Sequence, residues 1–108
     1  MNTAIRAELD KLKEIIIKTV PVELIYLFGS HAYGTAHKDS DLDLYVVIKD
    51  DVQLRDVDAA IKIRQAICDQ QISPIDLLVI KKQQYLHRKT APTLERKVAR
   101  EGILLYAA

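Results

Sequence analysis

Asp41 and Asp43 stand two residues apart at the head of a strand-forming run, LDLYVVI, and Asp76 holds the matching early position of a later run, IDLLVI. In an extended chain, residues two apart leave the same face about 6.6 Å from one another. At an effective dielectric near 20, two carboxylates roughly 6 Å apart repel by about 2 to 3 kcal/mol. No lysine or arginine lies between residues 39 and 48 to relieve this. If the two strands are neighbours, all three carboxylates meet at one end of a sheet, and a divalent cation would neutralise them. Hard oxygen donors select Mg²⁺ over Zn²⁺. The structural alternative is that Asp41 and Asp43 cap loop residues while Asp76 is a strand-end surface charge.

Gly29 and Ser30 lie upstream, where the apolar run VELIYLF ends. A strand that stops at Gly-Ser and turns into a helical segment presents free backbone N–H groups, and glycine lets a phosphate approach closely. Ser30 adds a hydroxyl. Alone, the pair is a turn signal; between a hydrophobic strand and an acid pair it reads as a phosphate cradle beside a metal site. A side chain at Gly29 is therefore expected to obstruct a nucleotide more than it harms the fold. His31 reads as a polar first-turn residue in preference to a phosphate contact, Ser40 as a residue that orients the loop, and Asp39 as a loop cap. Tyr33 and Tyr45, near the site, read as packing residues in preference to base-stacking ones. Arg88, Lys89, Arg96 and Lys97 form a solvated face, or else meet an acidic partner or a triphosphate.

The elements that must position these residues follow from periodicity. Ile5, Leu9, Leu12 and Ile16 recur at helical spacing and predict a helix over 3–18, ended by Val20 and Pro21. Strands are predicted over 22–28, 42–48 and 75–80, the second apolar on both faces and so central. HAYGTAHKDS gives a helical turn and loop. A helix over 53–70 is predicted with Asp50 or Asp51 as its cap and Leu54, Val57, Ile61, Ile67 and Cys68 as its buried stripe. Helices over 82–88 and 92–101 follow, the latter closed by Gly102, and ILLY (103–106) predicts an edge strand. This order is an α/β (α+β) fold, a small mixed sheet of three to four strands flanked by helices.

At 108 residues the chain is expected to be one domain, 1–108. A net charge of +1 gives no argument for general DNA or membrane binding. Its distribution is uneven. Residues 39–58 carry seven Asp against Lys49 and Arg55, and residues 81–101 carry seven Lys or Arg against Glu95 and Glu101. Such zoning suits a site handling metal ions and a polyanion, or else two solvated faces. Cys68, the only cysteine, excludes an intrachain disulfide and is expected in the core. The N-terminus has no apolar signal region and no run reaches a membrane span, so a cytoplasmic location is expected.

Phe28-Gly29-Ser30, ten residues, then Asp41-Leu42-Asp43-Leu44, with Asp76 on the next strand, resembles the signature of the DNA polymerase β-like nucleotidyltransferase superfamily. The short chain and its REGILLYA tail are similar to the minimal nucleotidyltransferases, commonly encoded beside an all-helical HEPN-family RNase toxin whose antitoxin they are. The resemblance implies the nucleotidyltransferase fold and Mg²⁺-dependent transfer of AMP from ATP, or of another NTP's nucleotide, to a hydroxyl of that partner. It implies Asp41 and Asp43 as ligands of two Mg²⁺ ions. Asp76 would share one metal and help deprotonate the acceptor, and Gly29 and Ser30 would bind the triphosphate. A small-molecule or RNA acceptor, and an antitoxin acting by binding alone, remain open alternatives.

Overall fold

The computed structural model describes residues 3–37, 40–51, 53–70 and 73–108. Helix α1 (Thr3–Thr19) leads to β1 (Val22–Phe28), a one-turn helix α2 (Ser30–Tyr33), β2 (Leu42–Ile48) and α3 (Asp56–Ile67). β3 (Ile75–Lys81), α4 (Lys82–Arg88), α5 (Leu94–Glu101) and β4 (Ile103–Ala107) complete the order. The sheet runs β3-β2-β1-β4, with β1 antiparallel to both β2 and β4 and with β2 parallel to β3. It is therefore the mixed sheet the sequence predicts, with β2 in its interior and β4 on an edge.

Alternation along the strands sorts side chains onto two cores. Ile25, Leu27, Leu42, Leu44, Val46 and Ile48 pack with Leu9, Leu12 and Ile16 of α1 and Ala59, Ile63 and Ile67 of α3. On the opposite face, Phe28, Tyr45 and Val47 pack with Tyr85 of α4 and Val98 of α5. Asp43 shares this second face with Tyr45 and Val47, so the basic helices α4 and α5 cover the sheet on the aspartate side.

Helix α3 departs from expectation. It is shorter than 53–70, and its N-cap is Arg55, which is extended and makes no side-chain cap. Asp50 instead accepts the backbone N–H of Gln83 at 3.1 Å, serving the first turn of α4. The buried positions are Ala59, Ile63 and Ile67, whereas Val57 and Ile61 are half exposed. The helix is apolar on two faces, and packing against α1 and β3 chooses the one bearing the small Ala59. Cys68 lies past the last helical residue, is exposed, and donates its thiol to the Gln65 carbonyl at 3.3 Å. At α5 the start is two residues later than predicted, because Thr93 is the N-cap and its hydroxyl accepts from the Arg96 N–H. Gly102 closes that helix in an extended conformation. A Cβ there would lie 2.6 Å from the Val98 carbonyl oxygen, so space rather than a left-handed turn requires glycine.

Two acids, Glu8 and Glu95, are buried. Glu95 accepts the Tyr45 hydroxyl at 2.7 Å on one oxygen and Arg88 Nε at 2.7 Å on the other. Burial alone would raise its pKa, but the two donors outweigh burial and hold the carboxyl below its ordinary value of 4.5. A carboxylate depressed in this way contributes stability that is present above its unfolded pKa and lost as pH falls through its folded one. Glu95→Gln is therefore expected to be less stable than the wild type at pH 7. Urea titrations repeated towards pH 3 should show the difference narrowing as the pH drops below about 4.5.

Candidate active site

The sequence places its acids where the sheet brings them together. In the β2–β3 ladder Asp43 lies directly opposite Asp76, and neighbouring strands are about 4.8 Å apart. The head of the ladder is pinned by the Leu42 N–H bonded to the Pro74 carbonyl at 2.9 Å. It is pinned again by the buried Glu8 of α1, whose two oxygens accept the Ser73 N–H at 2.8 Å and the Ser73 hydroxyl at 2.7 Å. Glu8 thus holds the start of the strand that carries Asp76. Its sequence signal is an acid inside an apolar helical stripe, three residues after Ile5 and four before Leu12.

Asp43 is half-buried, while Asp41, just before the strand, and Asp76 are exposed. Burial pushes the Asp43 pKa up, and the charges of Asp76 and Asp41 push the same way, as does a hydrogen bond with Asp76; His31 opposes them. Among the described residues no three His, Cys, Asp or Glu side chains form a gathered metal cage. Asp43 and Asp76 form the close pair, and Asp41 acts on it through its charge. Facing carboxylates in register, with the Asp41 charge acting on Asp43, are oxygen donors of the kind that suits a hard divalent ion.

Gly29 joins the turn to the acids. Its φ of 76° and ψ of −158° are open essentially to glycine alone. A Cβ at this position would fall onto the Asp43 carboxylate, 2.8 Å from its carbon and closer still to Oδ2. The carbonyl of Gly29 accepts the N–H groups of Ala32 and Tyr33, both at 3.0 Å, which winds α2. His31 does not stand free: its Nε2 lies 3.2 Å from the Ser40 carbonyl oxygen. Ser40 orients the loop as expected, its hydroxyl accepting the His37 N–H at 2.9 Å while its own N–H bonds the His37 carbonyl. The loop-cap reading of Asp39 lies outside the described residues. Tyr45 is a packing residue, 1% exposed, and Arg88 is paired with Glu95. No helix among the described residues is long and apolar enough to cross a membrane.

A mixed sheet that presents a glycine-serine turn beside two facing aspartates, with a third two residues before the first of them, is the arrangement of a nucleotidyltransferase. The chain belongs to the family described as Polymerase beta, Nucleotidyltransferase, which matches residues 10–108. It is 40% identical over 42 residues to the Protein adenylyltransferase MntA of Shewanella oneidensis, a stretch that is 38% of this chain and 30% of that relative. The match thus spans less than a third of that protein's length. Among solved structures, a toxin-antitoxin complex with AMP-PNP aligns with a TM-score of 0.66 and 25% identity, over 93% of this chain and 73% of the other. A mutant MntA-HpeT toxin-antitoxin complex aligns with a TM-score of 0.63 and 28% identity, over 92% and 72%.

Proposed function

We propose that this enzyme transfers a nucleoside monophosphate, AMP from ATP, to a hydroxyl of a partner protein, and that the pair is a toxin and its antitoxin. The observation that carries the chemistry is the in-register pair Asp43 and Asp76, with Gly29 seated against the Asp43 carboxylate. Asp41, Asp43 and Asp76 would hold Mg²⁺, two ions by analogy with the family signature. When bound, the metal neutralises the phosphates and stabilises charge on the attacking and leaving oxygens.

The chain's own residues do the rest. Ser30, through its hydroxyl and its N–H, binds the triphosphate together with the His31 N–H, because the Ala32 and Tyr33 N–H groups are already used inside the turn. Gly29 keeps the backbone close to both phosphate and carboxylate. Asp76 takes the proton of the acceptor hydroxyl as its oxygen bonds to the α-phosphorus, and the bond to the bridging oxygen breaks to release pyrophosphate. Positioning and charge stabilisation supply most of the acceleration.

The protein acceptor is supported by kinship with an adenylyltransferase that is named for protein substrates and with two toxin-antitoxin structures. An all-helical HEPN-family toxin encoded by the neighbouring gene is the expected partner. Incubation of the protein with α-labelled ATP, Mg²⁺ and that partner should leave label on the partner. Label on RNA ends or on a small molecule would discard the protein acceptor and keep the enzyme class. A partner neutralised equally well by the aspartate variants, without labelling, would establish an antitoxin that acts by binding.

A further inference from the structure

A nucleoside triphosphate brings several negative charges to a turn that has little with which to meet them. From Gly29 to His37 the chain reads GSHAYGTAH, without a lysine or arginine, while Lys38 lies outside the described residues, and His31 faces the Ser40 carbonyl. Anion recognition by backbone N–H groups is strengthened by a charged donor, and among the described residues of the turn there is no lysine or arginine to supply one.

Helix α5 delivers one. It reaches this end of the sheet by two contacts: Ile103, just beyond it, pairs with Leu27, and Val98 packs in the cluster containing Phe28 and Tyr33. Lys97 then lies over the ring of Tyr33, its Nζ 4.9 Å from the centroid, and Tyr33 is one helical turn past Ser30. Cation–π attraction holds an ammonium in place without neutralising it. Among the described residues no carboxylate forms an ion pair with Lys97, whereas Arg88 is matched by Glu95. Lys97 also borders a surface concavity with Arg96 and Arg100, against Glu101.

We propose that Lys97, positioned on the ring of Tyr33, is a cation that binds the phosphate tail of the nucleotide, supplied from α5 to a turn whose described residues carry no lysine or arginine. The proposal rests on the nucleotide-binding reading of that turn. An exposed lysine can be changed without disturbing the core, so Lys97→Gln removes the charge and keeps the fold.

Calorimetric titration of a non-hydrolysable ATP analogue with Mg²⁺, and separately of AMP, into the wild type, Lys97→Gln and Lys97→Arg tests this. Lys97→Gln is expected to weaken the triphosphate about tenfold and AMP less than about twofold, with a shallower salt dependence. Lys97→Arg should stay within about threefold of the wild type, since it restores the charge. Equal triphosphate affinity in Lys97→Gln, or equal losses for triphosphate and AMP, overturns the role of Lys97 and leaves the site reading intact. A wild-type protein that binds no triphosphate at all removes both.

Discussion

Asp43→Asn is expected to lower nucleotidyl transfer by on the order of a thousandfold while raising the melting temperature. The carboxylate is half-buried opposite Asp76, and burial together with the charges of Asp76 and Asp41 works against its ionised form. Asparagine has nearly the same shape, removes the charge, and still offers Asp76 a hydrogen bond. A group retained against its own electrostatic cost belongs to function rather than to the fold. Combining Asp41→Asn with it should abolish Mg²⁺ or Mn²⁺ binding measured with nucleotide present. Unchanged metal affinity in the double variant contradicts the metal-ligand roles, and a lowered melting temperature contradicts the repulsion.

Gly29→Ala is expected to damage fold and binding together. The backbone conformation alone costs a residue with a Cβ about 1 to 3 kcal/mol, and the methyl group would meet the Asp43 carboxylate. Affinity for Mg²⁺ and an ATP analogue should fall at least tenfold, about 1.4 kcal/mol. This revises the expectation that a side chain here obstructs the nucleotide more than it harms the fold, because the sequence does not reveal that Gly29 touches Asp43. The contact also makes the two positions coupled. Asp43→Ala introduced beside Gly29→Ala should recover part of the lost stability but none of the binding, leaving the penalty of the positive φ. Strictly additive urea unfolding free energies would contradict the contact.

The strands were legible because their signals are local. VELIYLF and LDLYVVI are apolar, β-rich runs bounded by Pro21, Gly29 and Asp41, and their structural limits coincide with those read from the chain. The meeting of Asp43 and Asp76 was legible only conditionally, since a parallel pairing between distant segments leaves no local trace; the register supplies it. The inward face of α3 was not legible. Apolar residues occupy two of its faces, and burial of Ala59, Ile63 and Ile67 depends on where α1 and β3 lie. Glu8 and Glu95 were passed over because acids on helices are ordinarily solvated. Each sits one turn from an apolar residue of its helix's buried stripe, Glu95 three residues before Val98, and that placement was the available sign.

Transfer of label from α-labelled ATP by Asp76→Asn, set beside the same variant's affinity for an ATP analogue, tests the central claim most directly. Asp76 is exposed at the head of the edge strand β3, in register with Asp43, and its assigned task is on the incoming hydroxyl rather than on the nucleotide. The predicted result is loss of labelling with most of the nucleotide affinity retained. Labelling at the wild-type rate by a folded Asp76→Asn protein would contradict the account.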